Sequence, residues 1–463
     1  MNHTLAIGSL RFSAVATLFA SALFAQVPFT QGNLVITRVG DGVAPLTNAS
    51  TATFVDEYTT SGTLVQSIAM PTVAAGLNNP CTNSGTATSE GFLNISADGQ
   101  YIVLGGYGVA PGLASVATTA NPTVARVVAR IDMSANVDTS TALTDAYSTR
   151  NIRCVASTDG QNYWITGSSE GIRHATHAAT TSLVISPTPL NNRVLRIYGN
   201  QLYGSAASTL FHGVSTVGTG FPTTSGNSCT LLPGMSSTSG PSGYDFWFES
   251  PTTLFVADDR VVASNGGIQK WTLSGATWTL AYTIQGTSGF RGLSGIRLNG
   301  VTTLYATAAN LAAGNSLVSV VDTGVASVVN AIAAAPANTA FRGVRLLTKP
   351  STLTRIPATC GAADIVAIGN GEIGSDVHTS ITGALGFPFI AYGTQAVGFP
   401  FCGCTVVHNL DLLVGGPLHT LSLPNNGALI NVLIYIQGID FLAPGGCPDP
   451  LFTGTDGYAF TIQ

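Results

Sequence analysis

The stretch NISADGQYIVLGGY, Asn94 to Tyr107, runs from an apolar segment through Ser-x-Asp-Gly-Gln into an alternating segment. VASTDGQNYWITGS repeats that grammar 61 residues further on, with Asp159 in the place of Asp98. Asp-Gly supplies the positive φ that a tight hairpin needs, so each copy reads as strand, turn, strand. A self-similar unit of about 40 to 60 residues belongs to architectures whose units cannot bury their faces alone, propellers and solenoids. Six segments have the character of the first strand of such a unit: GFLNIS from Gly91, NIRCVAS from Asn151, RVLRIY from Arg193, YDFWFES from Tyr244, LSGIRLNG from Leu293 and GVRLLTKP from Gly343. Three further strand-like runs follow each of the first five, as in YDFWFES, TLFVADD, GIQKWTLSG and TWTLAYTIQ. Four strands per unit is the propeller pattern.

The sixth unit has only its first strand before the chain turns away at Pro350, whereas NLVITRVG, TFVDEYTT and TLVQSIAM near the start belong to no unit. Together they predict one complete sheet, closed by both parts of the chain, which removes the open edges that invite aggregation. The expectation is an all-β protein: a six-bladed β-propeller over residues 28–350, with seven blades the alternative count. Alternation supports it, as where Trp278, Leu280, Tyr282 and Ile284 share one strand face. Ala326 to Ala340 is the best helix candidate, but Pro336 and its Val and Ile residues oppose one. After a linker at 351–358, the runs DIVAIG, FIAYG, LDLLVGG, LINVLIYIQGIDF and GYAFTIQ, parted by Gly and Pro turns, predict a small β-sandwich over 359–463.

Charged residues make up 8% of the chain, against a typical value of about 25%, and the formal net charge is -5. Lysine occurs only at Lys270 and Lys349, so the clustered basic charge that displaces counterions from nucleic acid is missing and nucleic acid is excluded as a partner. Arg11 followed by an apolar run from Phe12 to Ala25 reads as a signal peptide over residues 1–25, cleaved after Ala22 or Ala25. That run is too short to span a bilayer, and the expectation is a secreted protein with no membrane span. Export permits disulfides. Four of the seven cysteines, Cys360, Cys402, Cys404 and Cys447, fall in the C-terminal part. A bridge between Cys402 and Cys404 would close a strained small ring, so each is expected to pair outward, with Cys360 and Cys447 as partners. Cys154, in an apolar run, reads as a buried thiol, and CGC lacks the C-x-x-C spacing of a zinc site.

The order SGTLVQSIAMPT, GFLNISADGQYIVLGGYG, VARVVARIDMSANVDTSTALTDA, NIRCVASTDGQNYWITG, TLFVADD and FRGVRLL resembles a family of secreted bacterial β-propeller proteins over roughly residues 28–350. The tail SLPNNGALINVLIYIQGIDF, ending in TDGYAFTIQ, is similar to a C-terminal β-domain appended to many secreted bacterial proteins. The likeness implies the architecture and carries over no catalytic or binding residue. GIRHATH departs from it, standing where the family has a more aromatic segment.

Motifs that suggest chemistry meet unfavourable surroundings. GSSEG, Gly167 to Gly171, matches the G-x-S-x-G pattern with Ser169 as nucleophile, but a strand rather than a helix follows. GNGEIG, Gly369 to Gly374, matches a dinucleotide fingerprint, yet SDVHTSITG after it is β-branched and offers no helix N-terminus for a phosphate. His174 and His177, with Glu170 nearby, would face opposite sides of a strand, as would Asp258 and Asp259. No metal, cofactor or catalytic residue is assigned. Arginine is the least expected pattern. Arg150, Arg153, Arg193, Arg196, Arg291, Arg297, Arg342 and Arg345 all mark unit entrances and account for eight of the 17 basic residues. In a propeller the first strands line the central channel, so these guanidinium groups either converge on one mouth as an anion site or bridge neighbouring blades through Glu90, Asp245 and Glu249.

The function expected from this pattern is a secreted, non-catalytic binding protein that presents one propeller face, rich in Ser, Thr, Asn, Tyr and Trp, to a glycan or an extracellular protein. One alternative is a polysaccharide-active enzyme that neutralises an acidic glycan with the channel arginines and uses Tyr163, Tyr198, Tyr203, His174 or His212 as proton acceptor. A structural envelope protein is the other.

Overall fold

The computed structural model describes residues 26–309, 313–348, 353–358, 360–401, 404–441 and 452–463. The expected signal peptide and the cysteines Cys402 and Cys447 lie outside them. Among the described residues there is no α-helix, and the only helical segments are three short 3-10 turns. The candidate helix at 326–340 is instead a strand, Val329–Ala334, paired with Ser316–Val321. Its β-branched residues find a neighbouring strand there, and that decides against the helix-favouring alanines.

Six four-stranded antiparallel sheets account for residues 34 to 346 in a propeller-like arrangement. Their innermost strands are Asn94–Ile95, Ile152–Ser157, Leu195–Tyr198, Gly243–Ser250, Phe290–Leu298 and Ala340–Leu346. The last belongs to the closing sheet, in which Ala340–Leu346 pairs with Leu34–Val39, followed outward by Thr53–Tyr58 and Leu64–Ala69. Leu34 stands opposite Leu346, and Val39 opposite Ala340. The two repeated Asp-Gly turns join first and second strands. Gly99 and Gly160 carry the positive φ, at 70° and 69°, and the Asp98 and Asp159 carboxylates accept the backbone N–H of Gln100 and Gln161.

Each pair of neighbouring sheets encloses one apolar cluster, because successive residues of a strand point to opposite faces. Leu34 and Ile36 enter the cluster shared with Tyr305 and Leu317, while Val35 between them packs with Ile102 and Leu104. Val103 and Tyr107 turn the other way, toward Ile152, Val155 and Ile165. Three more clusters, around Trp164 with Leu202, Phe246 with Val214, and Phe255 with Leu304, fill the remaining gaps. The innermost strands touch in the same circular order. Phe92 N, just ahead of the first of them, donates to Arg153 O, Leu195 N to Cys154 Sγ, Ser205 Oγ of the adjoining second strand to Tyr244 O, Leu293 N to Asp245 Oδ2, Leu346 N to Ser294 Oγ, and Gly343 N to Gly91 O. The last contact returns to the first sheet. Gly343 permits it, because a Cβ at that position would lie 2.7 Å from Leu93 N and 2.8 Å from Phe92 Cα.

From residue 353 onward the described residues form a two-stranded sheet, Ala396–Phe401 with Cys404–His408, and two larger sheets that pack over one apolar cluster that includes Ile365, Val377, Ile390, Ile436 and Phe460. One has five strands in the order Thr354–Ile356, Phe452–Thr461, Leu433–Phe441, Phe387–Gly393 and Leu412–Gly415. The other joins Asp364–Ile368, Asp376–Thr382 and Leu418–Ser422. Thr354–Ile356 lies within the stretch expected to be a linker and is an edge strand of the larger sheet. Cys360 forms a disulfide with Cys404 across a sequence separation of 44 residues. Cys154 is a fully buried free thiol.

Candidate functional site

Six side chains, one from each innermost strand or the turn leading into it, stand at one mouth of the channel: Glu90, Arg153, Arg193, Tyr244, Arg291 and Arg342. Irregularities in the strand ladders put several of them there. The pairing register shifts between Ile152 and Cys154, between Gly243 and Phe246, and between Phe290 and Leu293. Such bulges re-aim the residues they contain, here Arg153, Tyr244 and Arg291. The Tyr244 ring holds two of the cations, with Arg193 Cζ 3.9 Å and Arg291 Cζ 5.7 Å from its centroid. Arg193 donates to Ser242 Oγ and Gly243 O, both at 2.9 Å, and Arg291 Nε donates to Asp259 Oδ2 at 3.2 Å.

Arg342 is the deepest of the four arginines, with 2% of its surface exposed. Its Nη2 donates to Gly85 O at 2.9 Å, while its Nε is buried with no hydrogen-bond partner. Arg153 donates through Nη1 to Asn191 Oδ1 and Asn192 O, and its Nε is likewise buried and unpartnered. Burial draws the Arg342 guanidinium down to about 10 and lowers Arg153 as well. Glu90 does not pair with either one directly. Its carboxylate accepts from Tyr107 Oη at 2.5 Å, Asn151 Nδ2 at 2.5 Å and Ser84 N at 2.8 Å, and its complete burial raises its pKa.

Below the mouth the channel is crossed by a buried ion cluster. Asp245, fully buried, accepts from Arg196 Nε at 2.9 Å and Nη2 at 2.6 Å, and from Arg345 Nη2 at 2.8 Å. Two backbone donors, Phe246 N at 2.7 Å and Leu293 N at 3.0 Å, complete its shell. Burial works against this charge, and two guanidiniums with two amides work for it. Arg196 reaches on to Leu93 O and Asn94 Oδ1, and Arg345 to Leu293 O. One carboxylate thus ties together five of the six inner strands.

The far end of the channel is covered by the C-terminal segment. Arg297 bridges Glu249 at 3.4 Å and Asp376 at 3.0 Å, and Asn299 N donates to Gly374 O at 2.6 Å. Between the ion cluster and this cover lies a cavity of about 410 Å³, lined among others by Tyr198, Trp247, Ile296, Asn370 and His378.

The eight arginines named from the sequence therefore do not converge on one mouth. Arg153, Arg193, Arg291 and Arg342 do, Arg196 and Arg345 plug the channel, Arg297 binds the cover, and Arg150 is exposed with its guanidinium on Thr149 O. The side chains considered as proton acceptors do not join them. Tyr163 Oη donates to Gly160 O, His174 contacts Asn162 and Trp164, His212 lies on the strand Phe211–Val217, and Tyr198 and Tyr203 pack on Phe248. Ser169 sits in a hairpin loop before the strand Ile172–Thr176, and neighbouring Glu170 is spent on Tyr147 N, Ser148 N and Arg173. GNGEIG leads into the strand Asp376–Thr382. His177 lies beside Arg130 and Asp138, away from His174's partners. Asp258 pairs with Arg260, whereas Asp259 turns to Arg291. Sequence reasoning missed Tyr244, whose signal was its place at the head of YDFWFES, where other units carry arginine.

No family model and no curated protein matches this chain. Among solved structures it is similar to the extracellular domain of a candidate one-component system from B. thetaiotaomicron, with 8% identity and a TM-score of 0.36 over 94% of this chain. The chain spans 60% of the length of that protein. A candidate 6-phosphogluconolactonase from Bacteroides uniformis is matched with 10% identity and a TM-score of 0.36, over 84% of this chain and 100% of that one. A candidate oxidoreductase (glucose dehydrogenase) from Thermus thermophilus is matched with 13% identity and a TM-score of 0.33, over 60% and 94%. The disulfide fits an oxidising, extracellular location. No helix among the described residues is long and apolar enough to cross a membrane.

Proposed function

We propose that the protein is a six-bladed β-propeller over residues 28–350, closed by its N-terminal strands and followed by a β-sandwich over 359–463. On this reading it works outside the cell as a non-catalytic binding protein that offers the uncovered mouth of the propeller to a glycan or an extracellular protein. One observation carries the reading. The C-terminal segment covers one end of the channel and the Arg196–Asp245–Arg345 cluster blocks it midway, so a partner meets the channel at the other end. Arg193 and Arg291 keep 17% and 18% of their side-chain surface at that end, within reach of a partner.

The test is a glycan array probed with the full chain, alongside capture of partners from the native secretome. Saturable binding that is lost in Tyr244→Ala supports the reading. Silence in both would leave a structural envelope protein as the better account. The same acidic polysaccharides, incubated with the protein and followed by reducing ends and by absorbance of unsaturated products, decide the enzymatic alternative. Turnover abolished by Arg153→Ala would replace binding with catalysis.

A further inference from the structure

The circle of groups at the mouth is electrostatically incomplete. Arg153, Arg193, Arg291 and Arg342 bring four positive charges, and among the described residues only Glu90 and Asp259 stand beside them with negative ones. Asp259 is shared, at 3.2 Å from Arg291 and 4.0 Å from Arg193. Glu90 is committed to Tyr107, Asn151 and Ser84. The remaining surplus is held close together. Arg342 lies within electrostatic reach of Arg291, Glu90 and Tyr244, and Arg153 within reach of Arg193, Glu90 and Tyr244. A buried guanidinium N–H without a partner carries the full cost of its lost hydration, and this mouth holds two such groups, the Nε of Arg153 and of Arg342.

We propose that this mouth is an oxyanion site, in which Arg153 and Arg342, supported by Arg193 and Arg291, take a carboxylate or sulfate group carried by the ligand. The proposal rests on the reading of this face as a ligand-binding surface and gives that ligand its chemical class. A planar or tetrahedral oxyanion accepts two or more N–H bonds at once, which matches the fork of a guanidinium. It would balance the local charge. The Tyr244 ring fixes the positions of Arg193 and Arg291 in advance, so that little ordering remains to be done on binding. A neutral sugar offers neither the charge nor the acceptor density.

The experiment is calorimetric titration of the full chain with sodium sulfate, with glucuronate and with glucose, at constant ionic strength in chloride. Saturable binding of sulfate or glucuronate, and none of glucose, is expected. Sulfate alone points to a sulfate ester on the ligand, and glucuronate alone to a uronate. Arg153→Gln or Arg193→Gln should weaken binding by roughly tenfold or more, while Arg150→Gln, outside the mouth, should leave it unchanged. Melting curves in chloride confirm that each variant is folded. If neither anion binds the wild-type protein more tightly than chloride does, the proposal fails without reference to any variant. It fails equally if binding persists undiminished in both Arg153→Gln and Arg193→Gln. An array that returns only neutral glycans, with no anion bound in calorimetry, removes this site and keeps the binding function. Anion binding with a silent array and no captured partner does the reverse.

Discussion

Replacing Asp245 by asparagine keeps the shape of the side chain and removes the one charge that faces both Arg196 and Arg345. Each of these arginines has 7% of its surface exposed, and the three hydrogen bonds they send to Asp245 are 2.6 to 2.9 Å long. Removing one partner of a buried ion pair costs about 3–5 kcal/mol, chiefly because the charge left behind is uncompensated. Here one substitution strands two guanidiniums, which places the expected loss near about 5 kcal/mol. At about 1.5 °C per kcal/mol, from an unfolding entropy of about 2.1 cal/mol/K per residue over roughly 320 residues, the melting temperature should fall by about 7 °C. Near-ultraviolet circular dichroism during heating, with urea titration as a second measurement, reads the change. Adding Arg196→Met and Arg345→Met to Asp245→Asn should recover most of the loss, since apolar side chains of similar volume remove the stranded charges. A single variant that melts within about 1 kcal/mol of the wild type would refute the assignment of Asp245 as the electrostatic centre of the channel.

Two further outcomes follow from the C-terminal segment. Cys360→Ser opens a loop whose ends are 44 residues apart, and the chain-entropy relation sets the loss at roughly 4 kcal/mol. Two-wavelength melting should show this as an earlier transition for residues 353–463, reproduced by reducing agent in the wild type and absent when the variant is compared with and without it. His378 is 7% exposed, and burial holds its pKa below the ordinary 6.5. The unfolded chain takes up a proton as the pH falls through about 6.5 and the folded chain does not, so His378 removes stability on acidification, by up to about 1.4 kcal/mol per pH unit. Urea midpoints between pH 7.5 and 5 should therefore decline less steeply in His378→Asn than in the wild type.

The inner strands and the closing sheet were legible because their signals are local. Asp-Gly turns punctuate alternating runs, and three strands at the start lack a partner that the end lacks in turn. The C-terminal sheets were only half legible. Ala396–Phe401 carries Gly398 and Pro400 and so reads as a turn, and the pairing of Thr354–Ile356 with Phe452–Thr461 joins residues about a hundred positions apart. The arginines show the limit most clearly. Their place at the unit entrances was visible, but whether a given one reaches the mouth, the plug or the cover depends on register. The ladder slips by a residue at Arg153, at Tyr244 and Asp245, and at Arg291. A slip of one residue exchanges the two faces of a strand, and no spacing rule in the sequence announces it.

The pairing of Leu34 with Leu346 sets a timetable for biogenesis. At a synthesis rate of roughly 5–20 residues per second, the interval between the emergence of these two positions is about 15 to 60 s. Throughout it the backbone amides and carbonyls of Leu34–Val39 that will face Ala340–Leu346 have no mate within the nascent polypeptide. A premature stop anywhere before Ala340 would leave that half-made seam permanently available to other molecules, so truncated products should be disposed toward strand exchange and deposition rather than mere loss of activity.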